Sequence, residues 1–308
     1  MRLGTVFYRD REHVVAVLGE GRMLDLHLAA ELAGANAALF VDMLSVIYGG
    51  DEALALARSL IADAQEATIL LDREVSFRPP ILPVQYRDCM VFETHLKNSF
   101  AQAEKMIGRP IAIPPVWYDQ PIYYKGNRMS FIGHKQDVIW PSYAQFLDVE
   151  LEMAIIIGKK GKDIAAKDAP GYIFGYTVLN DVSARDAQMK EMPGQLGPAK
   201  GKDFDTGNIL GPWIVTADEI AHPAALDMEV RVNGERWGGG NSREMHHDFA
   251  RIIEQISASE TLYPGEVIGS GTVGTGCGLE VGKRLNPGDR FELTIEKIGT
   301  LANRIVKP

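Results

Sequence analysis

The chain is poor in cysteine, with only Cys89 and Cys277 among its 308 residues. The two lie too far apart in the sequence to indicate a disulfide framework or a cysteine-rich zinc site, which fits a reducing cytoplasmic location. Long apolar runs are also missing. The stretch AALFVDMLSVIYGG is interrupted by Asp42 and falls short of the ~20 residues that span a bilayer. The N-terminus, MRLGTVFYRDREHVV, has no apolar core typical of a signal peptide. We therefore expect a soluble protein with no membrane partner.

An excess of positive charge is missing as well. Lys and Arg total 32 against 41 Asp and Glu, a formal net charge of -9. An acidic chain offers no general basic surface to a polyanion, so we expect no nucleic-acid partner. With 46% hydrophobic and 24% charged residues, the composition is typical of a globular protein with a sizeable core.

The sequence divides into two parts of different texture. Residues 1–75 predict a small α+β domain, with strands in TVFY and HVVAVLG and helices around 27–47 and 51–66. The segment RPPILPVQ (78–85) is rich in proline and is interpreted as a linker. Beyond it, short β-like runs alternate with Gly, Pro and Asp, and helical patterns stand out in SARDAQMKEM and HDFARIIEQISAS. The prediction is an α+β, strand-rich fold with a catalytic domain over residues 80–308.

Several familiar motifs do not hold up in context. GSGTVG (269–274) fits G-x-G-x-x-G, but the following TGCGLEVGKRLNPGD is too rich in Gly and Pro to predict the helix of a dinucleotide-binding unit. We interpret it as a tight turn that lets a ligand approach the backbone. No G-x-S-x-G nucleophile elbow occurs. The pair His246 and His247 would point to opposite sides of a strand, which favours surface or supporting histidines over a metal site.

Acidic residues alternate in LDVELEM (147–153). On a strand, Glu150 and Glu152 share one face about 7 Å apart, which fits either a solvated face or a cation site. In NDVSARDAQ (180–188), Asp181 precedes a predicted helix, and Arg185 and Gln188 follow four and seven residues later, on one helical side. This pattern directs an anion, a cation and an amide to one point and favours the cation site.

Five segments, in order, resemble the fumarylacetoacetate hydrolase superfamily over roughly residues 80–308: LDVELEMAIIIGKKGKDI, GYTVLNDVSARDAQ, GKDFDTGNILGPWIVT, LYPGEVIGSGT and GTLANRI. The resemblance implies a mixed β-roll catalytic domain and a homodimer. It also implies a divalent cation that polarises a 1,3-dicarbonyl or 2-oxo acid substrate. Asp181, Glu150 and Glu152 match the family's metal ligands. Oxygen ligands suit a hard ion, Mg²⁺ first, with Mn²⁺ or Ca²⁺ as alternatives.

The catalytic positions most resemble fumarylacetoacetase. In YRDCMVFETHLKN (86–98), Asp88 matches a fourth metal ligand and His95 matches the base that activates water, while Asn98 stands where smaller members carry the Glu of an H-x-x-E dyad. Other positions matched to the family are Glu280 as the residue that orients the histidine, Lys202 beside the developing negative charge, Arg185 and Gln188 on the substrate's oxo and carboxylate oxygens, and Tyr124 and Thr272 at its carboxylate end.

The resemblance implies a metal-dependent hydrolase that cleaves a C–C bond in an acylpyruvate or related 1,3-diketo acid through a His-activated water. Two alternatives stay open. The same metal site can serve a dehydratase, decarboxylase or isomerase of a 2-oxo acid, such as a 2-keto-3-deoxy sugar acid. A non-catalytic binding protein on the same scaffold is the more remote alternative. Residues 189–200 predict a mobile loop over the site.

Overall fold

The computed structural model describes the backbone of residues 1–308 and every side chain except those of residues 106 and 107. Within this described chain, helices and strands are mixed, which confirms the predicted α+β, strand-rich class. The α-helices are α1 Leu26–Leu32, α2 Met43–Ala62, α3 Glu93–Ile107, α4 Val116–Asp119, α5 Arg185–Glu191, α6 Phe249–Ser257 and α7 Gly278–Val281.

The strands build one large mixed sheet, one smaller sheet and one short two-stranded ladder. They are β1 Arg2–Tyr8, β2 Arg11–Gly19, β3 Arg22–Asp25, β4 Ile69–Leu71, β5 Ser76–Phe77, β6 Tyr86–Cys89, β7 Tyr123–Lys125, β8 Phe131–Ile132, β9 Asp137–Ile139, β10 Leu147–Asp148, β11 Leu151–Ile157, β12 Ile173–Asp181, β13 Ser183–Ala184, β14 Asn208–Thr216, β15 Asp227–Val232, β16 Glu235–Asn241, β17 Val267–Gly269, β18 Arg290–Ile295 and β19 Gly299–Val306.

The large sheet runs in the order β4-β3-β2-β1-β14-β12-β11-β17-β6-β7, with β5 paired to β1 and β8 to β14. The smaller sheet runs β16-β15-β18-β19-β9. Because β1 pairs antiparallel with β14, the N-terminal strands continue the same sheet as β6, β11 and β12. The predicted division into domains 1–75 and 80–308 stays a prediction.

Strand β11 is buried on both faces, which explains its nearly continuous apolar sequence. Met153 and Ile155 enter a core shared with the smaller sheet and α6. The alternating Ala154 and Ile156 enter a second core, shared with α1 and α2. A strand between two cores has no face for water, so the polar residue Glu152 within it must find its partners inside the protein.

The boundaries of the predicted helices need correction. The helix predicted at 27–47 is instead α1, a 3-10 turn at Ala37–Phe40 and the start of α2, and α2 runs through the predicted break to Ala62. Gly50 has a φ of 51° and a ψ of -128° and kinks α2 instead of ending it. The sequence around Gly50 was ambiguous, because a glycine usually marks the end of a helix.

One prediction of irregular structure was also wrong. A one-turn helix, α7, follows the glycine-rich turn, and Gly282 in the left-handed region (φ 70°) ends it after four residues. The helical pattern predicted in SARDAQMKEM is confirmed by α5, which ends at Glu191, and a 3-10 turn covers Met192–Gly194. The mobility of residues 189–200 stays a prediction. Within the described chain, no helix combines the length and apolarity that a membrane crossing requires.

Candidate metal centre and active site

Three carboxylates meet where four strands of the large sheet lie side by side. Asp88 comes from β6, Glu152 from β11 and Asp181 from the end of β12, and one oxygen of each lies within 4.8 Å of the others. Strand β17 runs between β6 and β11 and places Gly269 opposite Asp88. Because Gly269 has no side chain, the space beside its Cα is occupied by Asp88 Oδ1, Glu152 Oε2 and Leu179 Cδ2.

The cluster fits a divalent cation. Asp88 Oδ1 and Asp181 Oδ1 are buried and have no hydrogen-bond partner among the described side chains and backbone. Burial, followed by the charge of a neighbouring carboxylate, raises the pKa of Asp88 and of Glu152 well above the usual range. Unpaired oxygens and mutual repulsion both indicate a missing positive charge, and an all-oxygen set suits a hard ion. A cation bound between the three carboxylates would pair the free oxygens, offset the repulsion and match the all-oxygen ligand set.

Glu150, the fourth predicted metal ligand, is held by two basic side chains. Its Oε1 lies 2.7 Å from Arg185 Nη1, and its Oε2 accepts from Lys202 Nζ, which also donates to Asp181 Oδ2. Burial alone raises the pKa of Glu150, but the charges of Arg185 and Lys202 outweigh it and hold the pKa well below its usual range. Glu150 therefore stays ionised beside the three-carboxylate cluster, and Lys202 links the two.

Asp148 performs a structural task that the alternation in LDVELEM did not reveal. Its Oδ1 accepts from Gly278 N at 2.7 Å, and its Oδ2 accepts from Leu279 N at 2.9 Å. Oδ2 also accepts from Arg185 Nε at 3.0 Å and Nη2 at 2.8 Å. One fully buried carboxylate thus anchors both the first turn of α7 and the guanidinium of Arg185.

A histidine–carboxylate pair adjoins the cluster. His95, in the first turn of α3, is 2.7 Å from Glu280 Oε1 through Nδ1, and Glu280 lies on α7. Asn98 Nδ2 and Thr275 N donate to Glu280 Oε2 at 3.0 and 2.8 Å. With Nδ1 donating to the carboxylate, His95 keeps Nε2 free to exchange a proton. The charge of His95 also contributes to the lowered pKa of Glu150, after the charges of Arg185 and Lys202, so the imidazole lies in the neighbourhood of that carboxylate.

The predicted substrate-binding residues lie around these two groups. Tyr124 Oη donates to Asp181 Oδ2 at 2.8 Å, and Thr272 Oγ1 is 3.4 Å from Glu152 Oε1. Gln188 Oε1 accepts from Arg185 Nη1 at 3.2 Å. Each of the three predicted substrate-binding side chains therefore contacts a carboxylate of the site or Arg185. Their roles towards substrate stay predictions.

Sequence reasoning assigned no role to Asn98 or Cys277. Asn98 lies three residues after His95, so on α3 the two side chains share a face, and that spacing was the available signal. Cys277 gave no signal, because its thiol reaches Glu280 Oε1 (3.4 Å) only through the turn that precedes α7. His246 and His247 lie outside the site, next to the backbone carbonyls of residues 118 and 117.

Comparisons with known proteins show which family the chain is similar to. The model of the fumarylacetoacetate (FAA) hydrolase C-terminal family matches residues 92–306. The mitochondrial oxaloacetate tautomerase FAHD2A of Homo sapiens is 34% identical over 267 residues, which cover 86% of this chain and 79% of that protein. Oxaloacetate tautomerase YisK of Bacillus subtilis is 29% identical over 314 residues, 99% of this chain and 100% of that protein. A crystal structure of maleylpyruvate hydrolase from Sphingobium sp. SYK-6 with manganese(II) and pyruvate superposes with a TM-score of 0.76 and 25% identity, covering 100% of this chain and 99% of that one.

Proposed function

The chain belongs to the fumarylacetoacetate hydrolase family, and we propose that it is a metal-dependent enzyme that interconverts the enol and keto forms of a small 2-oxo dicarboxylic acid of the oxaloacetate class. The observation that carries this proposal is the His95–Glu280 pair beside a three-carboxylate cluster. Proton transfer between carbon and oxygen needs one positioned acid–base group and a site that stabilises an enolate. The two relatives named as oxaloacetate tautomerases support the same reaction.

The cation would be held by Asp88, Glu152 and Asp181, whose oxygens lie together. Glu150, which Arg185 and Lys202 hold beside them, stays the predicted fourth ligand. We propose Mg²⁺ as the physiological ion, with Mn²⁺ or Ca²⁺ as alternatives, because each prefers oxygen ligands. The manganese in the maleylpyruvate hydrolase structure supports a divalent ion. When bound, such an ion supplies a Lewis acid and a template for the oxygens of a 2-oxo acid.

The proton would be carried by His95. Glu280 fixes the imidazole with Nδ1 protonated, so Nε2 takes a proton from the enol oxygen or from carbon and returns it at the other atom. Asn98 supports this arrangement from the same helix by donating to Glu280. This proton transfer by the His95–Glu280 pair consumes no water, whereas hydrolysis needs water as a reactant.

Positive charge near the reacting atoms comes from two buried side chains. Lys202 and Arg185 are both paired with carboxylates of the site, and they compensate part of its excess negative charge. We propose that Arg185 and Gln188 contact the substrate's oxo and carboxylate oxygens and that Tyr124 and Thr272 border its other carboxylate. Fixed charges in a water-poor site stabilise a developing anion strongly.

Hydrolysis of an acylpyruvate C–C bond is the second candidate. It is favoured by the position of the carboxylate that pairs with the histidine. Glu280 lies on α7 and not on the helix of His95. The resemblance to fumarylacetoacetase implies the same arrangement. Here His95 Nε2 would take a proton from water, and the hydroxide would attack the carbonyl carbon. The maleylpyruvate hydrolase neighbour supports this candidate.

One set of assays separates the two reactions. The decay of the ultraviolet absorbance of enol-oxaloacetate reports tautomerisation, and chromatography of products from a panel of acylpyruvates reports cleavage. We expect catalysed enol–keto conversion that requires a divalent ion, and a fall in kcat of about 10²–10⁴-fold in His95→Gln. His246→Gln, which changes an exposed histidine outside the site, should retain the wild-type rate.

Cleavage of an acylpyruvate with no acceleration of the enol–keto conversion would reject the tautomerase proposal in favour of the hydrolase. A folded His95→Gln protein with an unchanged rate would show that another group carries the proton.

A further inference from the structure

Three side chains with different ligand chemistry converge beside the catalytic pair. One ligand atom each from His95, Cys277 and Glu280 lies within 4.8 Å of the others. Glu280 Oε1 is 2.7 Å from His95 Nδ1 and 3.4 Å from Cys277 Sγ. All three side chains are buried. Nitrogen, sulfur and carboxylate oxygen together form a donor set typical of zinc and distinct from the all-oxygen cluster nearby.

The spacing is close to that of a tetrahedral site. Zn–N and Zn–O bonds of about 2.0–2.1 Å and a Zn–S bond of about 2.3 Å place neighbouring ligand atoms roughly 3.3–3.6 Å apart. The Sγ–Oε1 distance of 3.4 Å already falls in that range. The Nδ1–Oε1 distance must open from 2.7 Å by roughly 0.6 Å. That change is small for a side chain at the start of a helix.

The supporting contacts hold the ligands in place. Glu280 Oε2 accepts from Asn98 and from the backbone of Thr275, which leaves Oε1 turned towards His95 and Cys277. The backbone of Cys277 forms a β-bridge with Glu150. Hydrogen bonds of this kind orient metal ligands and contribute to affinity.

We propose that His95, Cys277 and Glu280 form a second metal site, selective for a borderline or soft cation such as Zn²⁺. On binding, the Cys277 thiol loses its proton to solvent. The cation takes the position between His95 Nδ1 and Glu280, and the proton that Nδ1 carried passes through solvent to Nε2. The imidazole then carries its one proton on Nε2 and cannot accept another there. Zn²⁺ at this site therefore inhibits proton transfer while a hard ion occupies the carboxylate cluster. The inhibition rests on the proposed function, and the binding does not.

Cobalt provides a direct probe of thiolate ligation. With the carboxylate cluster saturated by Mg²⁺, titration of the whole protein with Co²⁺ should produce the intense near-ultraviolet charge-transfer absorption of a cobalt–thiolate bond. Zn²⁺ should abolish it. We expect the band to disappear in Cys277→Ser and to survive in Cys89→Ser, the matched change at the other buried cysteine. Circular dichroism and thermal unfolding establish that each variant is folded.

Two results would overturn the proposed second metal site. One is the absence of a thiolate band in the wild-type protein, a test that depends on no variant. The other is a band that survives in Cys277→Ser and is lost in Cys89→Ser. Buffered free Zn²⁺ gives the functional readout, with each protein normalised to its own zinc-free rate. The half-inhibiting Zn²⁺ concentration should rise by about tenfold or more in Cys277→Ser, and equal sensitivity would refute the inhibition. If the wild-type protein lacks tautomerase activity, the proposed function fails, and the cobalt band still decides the metal site.

Discussion

Gly269 is the residue whose replacement tests the metal centre most directly. A Cβ at this position would lie 2.6 Å from Leu179 Cδ2 and 2.9 Å from Glu152 Oε2, and closer still to Asp88 Oδ1. Real Cβ atoms essentially never approach another heavy atom within 3.0 Å, so Asp88 Oδ1 must retreat by more than 0.4 Å. Metal–ligand distances tolerate only about 0.2 Å. Gly269→Ala therefore displaces one ligand beyond the range of a working site.

Gly269→Ala should lower both stability and activity, and the two losses can be measured separately. Overpacking of a buried strand should lower the free energy of unfolding by about 1–3 kcal/mol. Misplacement of the substrate template should lower kcat/KM by roughly 100-fold. Isothermal titration with Mn²⁺ measures the affinity, and urea unfolding of the chelated protein measures stability. Gly4→Ala is the matched control, because this buried strand glycine has only ordinary contacts, at 3.6 Å or more, around its Cβ position.

A Gly269→Ala protein that binds Mn²⁺ with wild-type affinity would refute the assignment of Asp88 and Glu152 as metal ligands. Equal losses in Gly4→Ala would instead attribute the effect to the sheet as a whole.

Three further predictions concern charge in the site. Lys202→Met should destabilise the chelated protein by about 3–5 kcal/mol in urea unfolding, because it leaves buried carboxylates unpaired, whereas Lys200→Met at an exposed position should not. The folded state raises the pKa of Asp88 and Glu152, so it binds more protons than the unfolded state. The unfolding temperature of the chelated protein should therefore fall as the pH rises above about 5. Saturating Mg²⁺ should remove that fall, and a metal-free protein that gains stability with pH contradicts it. Asp148→Asn should lower kcat by about 10–100-fold through displaced positioning contacts, and an unchanged kcat in a folded variant would disprove that role.

The sequence by itself determined the class of the fold and the composition of the site. Strand-like runs separated by Gly, Pro and Asp predicted a strand-rich α+β protein, and the runs TVFY and HVVAVLG fall on β1 and β2. Local patterning is sufficient here because a strand is a short apolar or alternating run between turn residues. The resemblance to the family also named the clustered carboxylates and the His95–Glu280 pair, but it did not name Asn98, Cys277 or the role of Asp148.

The tertiary structure decided how those residues divide the work. In sequence, Asp148, Glu150 and Glu152 are equivalent positions of one alternation. In the fold, Asp148 anchors α7, Glu150 pairs with Arg185 and Lys202, and Glu152 joins the three-carboxylate cluster. Their partners come from residues 88 to 279, and sequence spacing carries no information on which distant groups will neutralise a buried charge. The pKa and the role of a carboxylate depend on burial and on the charges around it, and both are fixed only when the strands and turns pack together.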